Sequence, residues 1–98
     1  MSLLVLVTYD VSTETAAGRR RLRHVAQVCL SYGQRVQKSV FECVVGDRDL
    51  VHLRAALLTE VDTAEDSLRL YFINESDRAR IEEYGAKRRW DFEGPLVV

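Results

Sequence analysis

The sequence predicts an α+β fold of element order β-α-β-β-α-β, followed by one more strand near the C-terminus. Three observations carry that reading. Leu3 to Tyr9 is a continuous apolar, β-prone run, long enough for a strand buried on both faces. Two later stretches place apolar residues at helical spacing, one ending near Tyr32 and one near Val61. Between and after them, Val36 to Val45 and Ser67 to Ile73 are rich in β-formers. With right-handed crossovers this order closes an antiparallel four-stranded sheet with both helices on one face, the ferredoxin-like arrangement.

Taken in order, the first strand gives way to Ser12 and Thr13, whose hydroxyls suit the cap of a following helix. Leu22, Val25, Ala26 and Cys29 then form an i, i+3, i+4, i+7 stripe, and Gly33 is expected to stop the helix. Gln37-Lys38-Ser39 breaks the next β-rich stretch into two short strands, although one bent strand would look similar. Gly46-Asp47 is turn chemistry, with Asp47 or Asp49 as cap, and Leu50, Leu53, Leu57 and Leu58 give the second helical stripe. In the last core strand Leu68, Leu70 and Phe72 alternate with Arg69, Tyr71 and Ile73.

A chain of 98 residues makes one domain, residues 1–98, with the core over about residues 1–74 and a tail over about 75–98. At 47% hydrophobic composition it can bury a core, and dimerisation would bury more apolar surface. The tail ends in Pro95-Leu96-Val97-Val98, an apolar run that a lone monomer would expose. Lending it to the sheet edge of a partner, in a homodimer with exchanged tails, would pair its backbone; folding back on its own sheet is the alternative. No stretch approaches the roughly 20 apolar residues of a membrane span. The apolar start has neither the basic flank nor the cleavage site of a signal peptide, so no membrane association and a cytoplasmic location are expected. Cys29 and Cys43 lie in apolar runs outside any metal-ligand spacing and read as buried free thiols.

A net charge of -1 conceals an asymmetry: residues 1–41 carry six bases against two acids, whereas residues 42–83 carry five bases against eleven acids. The basic part contains Arg19, Arg20, Arg21 and Arg23 on the first helix, with Arg35 and Lys38 extending the field onto the next strands. Like charges at i, i+4, such as Arg19 and Arg23, repel each other on a helix. An anionic partner would reconcile them, and guanidinium forks suit phosphate oxygens; a solvated basic face is the plainer reading. Asp10 ends the first strand, at the sheet rim. Two such carboxylates across a dimer axis would give the minimum set for magnesium, although on spacing alone Asp10 reads as well as a turn residue or cap. His24 and His52 lack ligands at metal spacing, and no Cys/His zinc pattern, Gly-rich phosphate loop or serine-nucleophile motif is present.

Several longer words match a known family. They are Leu4-Val5-Leu6-Val7-Thr8-Tyr9-Asp10-Val11, Arg21-Leu22-Arg23-His24-Val25-Ala26 and the block from Tyr32 to Cys43, Tyr-Gly-Gln-Arg-Val-Gln-Lys-Ser-Val-Phe-Glu-Cys. Asp66-Ser67-Leu68-Arg69-Leu70-Tyr71 and Gly94-Pro95-Leu96-Val97-Val98 complete the set. Over nearly its whole length the chain resembles the CRISPR-associated Cas two family, the small non-integrase member of the spacer-acquisition pair. That resemblance implies a ferredoxin-like homodimer with the last strand lent to the partner. It also implies a metal-dependent endonuclease on single-stranded RNA or double-stranded DNA, and a bridge between integrase subunits. It assigns magnesium binding (with manganese able to substitute) and catalysis to Asp10. Functional arginines map to Arg19–Arg23, with Arg19, Arg20 and Arg23 as the nucleic-acid candidates beside Arg35 and Lys38. Phe41 falls at the family's functional aromatic, where a core role fits equally. The Gly-Gln-Arg-Val-Gln block and the Gly-Ala-Lys tail are similar to the subtype I-C branch, which leans toward double-stranded DNA; a non-catalytic DNA-binding scaffold is the alternative.

Overall fold

The structure, a computed structural model, describes residues 2–86. Its elements run β1 (Leu3–Asp10), α1 (Ala16–Leu30), β2 (Gly33–Gln37), β3 (Val40–Val45), α2 (Asp47–Glu60) and β4 (Ser67–Asn74), then a 3-10 turn over Glu75–Arg80. The strands form one antiparallel sheet in the order β2-β3-β1-β4, the ferredoxin-like arrangement expected from the sequence.

β1 sits between β3 and β4, and its side chains divide the molecule. Val5, Val7 and Tyr9 point into a core with Leu22, Val25, Ala26 and Cys29 of α1, Phe41, Cys43 and Val45 of β3, and Leu53 and Leu57 of α2. The alternate residues Leu4, Leu6, Thr8 and Asp10 necessarily face the other way. They share that open face with Val40, Glu42 and Val44 of β3, and with Ser67, Arg69, Tyr71 and Ile73 of β4, which stand opposite them in register. The 3-10 turn returns against this face, where Arg78 reaches Glu42 at 3.9 Å.

The helix ends differ from expectation. Thr15, not Ser12 or Thr13, caps α1, its hydroxyl accepting the Gly18 N–H at 3.0 Å. Ser12 is otherwise engaged, donating its own N–H to Asp66 at 3.1 Å. Gly33 does not stop the helix: Ser31 ends it in an ordinary right-handed conformation with φ of -70°, and Gly33 opens β2. The glycine is required there by close approach, because a Cβ would lie 2.1 Å from the Glu42 carbonyl oxygen and 2.7 Å from Cys43 Cα. Gly46 caps α2 without a side-chain bond, leaving Asp47 and Asp49 in the first turn, where their charge favours the helix dipole. Leu58, expected in the apolar stripe, is 53% exposed, because α2 buries only Leu53 and Leu57.

The hairpin break falls as anticipated, with Lys38 and Ser39 joining β2 to β3. Both cysteines are free and buried. No helix among the described residues is long and apolar enough to cross a membrane. The Pro95–Val98 run, the Gly-Ala-Lys tail beyond Ala86, Trp90 and Phe92 lie outside the described residues, and with them the exchanged tail.

Gly33→Ala forces the β2–β3 backbones apart, since the obstructing atoms are main chain. Its urea unfolding midpoint is expected to fall by the equivalent of about 1–3 kcal/mol; an unchanged midpoint would show that the hairpin accommodates the methyl group.

Candidate functional site

Four chain segments meet at the rim where β1 ends. Asp10 is exposed there, opposite Ser67 of β4. The β2–β3 turn lies alongside, with the Tyr9 N–H donating to the Ser39 carbonyl at 3.2 Å, which brings exposed Lys38 to the same rim. The loop after Asp10 and the first turn of α1 complete the group. A Cβ at Gly18 would sit 1.9 Å from the Ser12 carbonyl oxygen, so this loop packs directly on the helix.

What fixes the loop is an ion pair between residues 45 positions apart. Arg21 Nε and Nη2 donate to the two Asp66 carboxylate oxygens at 2.8 and 3.2 Å. Asp66 also accepts the N–H of Ser12 at 3.1 Å and that of Asp62 at 2.9 Å. Its side chain is fully buried, whereas that of Arg21 is 18% exposed. The Arg21 hydrogen bond holds the Asp66 carboxyl below its ordinary range against the opposing effect of burial, with the two backbone N–H groups adding in the same direction. The pair thus ties the loop carrying Asp10 to the α2–β4 connection. Sequence inspection places Arg21 in a basic cluster and Asp66 in a polar connection; no local signal joins them.

The arginine cluster is divided by helical geometry. With Arg21 on the flank toward Asp66 and His24 Nδ1 2.9 Å from Glu60 of α2, roughly 100° per residue puts Arg19 and Arg23 on the opposite flank and Arg20 outermost. Arg19 Nη1 donates to the Thr13 carbonyl at 3.1 Å, keeping it at the rim. Arg19 and Arg20 are exposed and Arg23 is partly so. All three lie on the helical layer, behind the sheet from the face that Asp10 shares.

Arg35 is not displayed on the strand as its position in the basic module suggested. It stands opposite Phe41 in the β2–β3 register, facing the core, and is 4% exposed. Its guanidinium carbon lies 4.8 Å from the centre of the fully buried Phe41 ring, which in turn stacks on Tyr9 at 6.2 Å. Arg35 Nε and Nη1 and the Tyr9 hydroxyl are buried without hydrogen-bond partners. Burial pushes the Tyr9 hydroxyl up, with Arg35 pulling against it. Phe41 therefore fills a core position directly beneath the strand end that carries Asp10.

The remaining candidates are quiet. Burial pushes the Cys43 thiol up to about 11 and raises Cys29 further, so both are neutral and poor ligands. Among the described residues no group of three or more His, Cys, Asp or Glu side chains could enclose a metal ion. At the end of β1 one protomer offers the Asp10 carboxylate, which joins no ion pair among the described residues. That donor set fits a hard cation keeping most of its water only when a second acid or substrate oxygens join it.

Fold and rim define a small α+β domain with one exposed strand-end carboxylate near a basic turn and a basic helix. Residues 1–81 match the model of the family CRISPR associated protein Cas2, and the chain belongs to that family. It is 56% identical over 96 residues to the CRISPR-associated endoribonuclease Cas2 of Chlorobaculum tepidum, covering 98% of this chain and 100% of that one. To the CRISPR-associated endonuclease Cas2 of Halalkalibacterium halodurans it is 46% identical over 95 residues, covering 97% and 99%. The crystal structure of Streptococcus pyogenes Cas2 at pH 6.5 is similar with a TM-score of 0.75 and 51% identity, covering 84% of this chain and 99% of that one.

The lowered Asp66 value fixes the sign of a pH effect. Its contribution is complete above the ordinary carboxylate value near pH 4 and is lost as pH falls through the lower folded value. Asp66→Asn is expected to unfold at lower urea than wild type at neutral pH, with the two curves converging in acid. Parallel curves down to the lowest pH at which both fold would show that Arg21 gains nothing from that charge.

Proposed function

We propose that the protein is a metal-dependent endonuclease of CRISPR adaptation, working in the cytoplasm as a homodimer that also bridges integrase subunits. The observation that carries this reading is Asp10: exposed, outside every ion pair among the described residues, and fixed at the rim where Lys38 and the first turn of α1 converge. The names of the relatives above, one an endoribonuclease and one an endonuclease, support phosphodiester hydrolysis and leave RNA and duplex DNA both as substrates. The Gly-Gln-Arg-Val-Gln block favours the subtype I-C branch and duplex DNA.

With Asp10 as the strand-end acid of each protomer, two Asp10 carboxylates at a subunit seam are the proposed ligands of magnesium, with manganese able to replace it. When bound, the cation supplies a more acidic water and neutralises charge on the scissile phosphate. Asp10 holds the cation, while Arg19, Arg20, Arg23 and Lys38 hold the polyanion by its backbone without reading sequence. Arg35, buried under the rim, supports Phe41 and Tyr9 behind Asp10 rather than touching solvent-borne phosphates. Two features favour pairing with a second copy. Val44, 37% exposed, and Tyr71, 40% exposed, are large apolar side chains on the face away from both helices. β4 is an edge strand among the described residues, the kind of edge to which a partner's Pro95–Val98 run would add.

The alternative is a non-catalytic DNA-binding scaffold, favoured by exposed Arg19 and Arg20 on the helical layer, apart from the face that carries Asp10. Asp10→Ala separates the two. The nuclease reading expects loss of magnesium-dependent cleavage of RNA and duplex DNA with nucleic-acid binding retained. Undiminished cleavage by the purified variant would sink it, and spacer insertion surviving the change would make bridging the biological role.

Replacing Arg19 and Arg23 by Ala is expected to weaken binding and flatten its salt dependence. The logarithmic slope should fall by about 1.8 on duplex DNA or about 1.4 on a single strand, for two released phosphate contacts. A slope equal to wild type would remove α1 from the interface.

A further inference from the structure

One flank of α2 exposes apolar side chains beside the edge of the sheet. Leu53 and Leu57 point into the core, and Glu60 meets His24 on the side that faces α1. Helical phase puts Val51, Arg54 and Leu58, at i, i+3 and i+7, together on the other side. There the Arg54 guanidinium carbon lies 6.0 Å from the centre of the Phe72 ring. Phe72 stands opposite the core residue Val5 in the β1–β4 register, so it projects to the helical side of the sheet, opposite to the face that carries Asp10. Leu68 and Leu70, of the same parity on β4, pack against the core, whereas Phe72, Val51 and Leu58 are each more than half exposed. Large apolar side chains gathered in this way mark an interaction surface, and this one runs beside a strand that is an edge among the described residues.

The chain supplies a segment that matches this shelf. From residue 90 onward the even positions read Trp90, Phe92, Gly94, Leu96 and Val98, and the odd positions Asp91, Glu93, Pro95 and Val97. A strand of these nine residues has the length of the eight-residue β4 and would turn an acid-free, apolar parity to one face of the sheet. We propose that the even-numbered side chains of residues 90–98 of the partner subunit seat on the shelf of Val51, Leu58 and Phe72, so that α2 is part of the dimer interface. The shelf then fixes the register of the added strand, because a slip of one residue would lay Asp91 and Glu93 on it. The inference rests on the exchanged-tail reading of the homodimer and adds the helix against which the tail packs.

Trp90 is the single tryptophan of the chain, so its emission reports on the tail alone. Full-length wild type, Leu58→Lys, Leu58→Met and the double variant Val51→Lys with Leu58→Lys are diluted in steps, and mass by light scattering is followed together with tryptophan emission. Both replaced positions are exposed, so the variants are expected to fold, with circular dichroism as the check. Wild-type emission should move to shorter wavelength as the mass doubles. Leu58→Lys should raise the dimer dissociation constant about tenfold or more and hold the emission at longer wavelength, the double variant should do so further, and Leu58→Met should match wild type. Emission that follows mass in wild type but is unmoved, with mass, in both lysine variants would leave the exchanged tail standing and overturn its seat on α2. Doubling of the wild-type mass with fixed emission would remove the tail from the seam and overturn both readings. An emission shift in the lysine variants without any change in mass would give the shelf to the tail of the same chain, against the proposal. Where wild type stays dimeric at every dilution, the double variant at the lowest concentration decides: monomeric mass with longer-wavelength emission supports the proposal, and wild-type values of both overturn it.

Discussion

The alternation of side chains along β1 is the constraint from which the rest of the geometry follows. A strand between two neighbours has no freedom to choose: if Val5, Val7 and Tyr9 enter the helical core, Leu4, Leu6, Thr8 and Asp10 must face away from it. A slip of one residue would bury the carboxylate under α1 and expose the three apolar side chains. Register is therefore defended by the whole core, and the position of Asp10 inherits that stability. The same parity sets β4, placing Arg69 and Tyr71 with Asp10 while Leu68 and Leu70 pack inward against the core.

That parity also separates two positive regions that look like one in the sequence. The arginines of α1 belong to the helical layer, and only the rim at their N-terminal turn brings them near Asp10. Arg21 is withdrawn altogether, since its fork is spent on Asp66. Replacing it would leave a buried acid unpaired and free the Ser12 loop, so loss of function there would report architecture rather than phosphate binding. Arg35 is withdrawn in another way. A guanidinium with two buried, unpartnered nitrogens is expensive, and its main favourable contact is the Phe41 face. It is retained directly behind the strand end that carries the acid.

Element order, sheet topology and most of the core were legible from periodicity, because buried strands and amphipathic helices repeat at fixed intervals. Where the reading missed, a distant partner had decided the matter. Ser12 would have made a good cap, but Asp66, 54 residues on, takes its N–H. Gly33 had the composition of a helix stop, yet it is glycine because Glu42 and Cys43 approach from the facing strand. Leu58 fitted the stripe on α2, but only part of that helix reaches the sheet. For the site, Asp10 was legible as a strand-end acid, and the family resemblance gave it meaning. The division of the arginines was not, since helical phase shows its consequence only once Asp66 and Glu60 mark which flank faces α2.

The solitary carboxylate has a further thermodynamic meaning under the dimeric reading. Two Asp10 carboxylates brought to one seam would repel each other as like charges. A divalent cation between them removes that repulsion, so metal binding and closure of the seam would favour each other by the same coupling energy. Parity along β1 thus bears on metal affinity as well as on position, because it decides on which face of the sheet the carboxylate of each protomer stands.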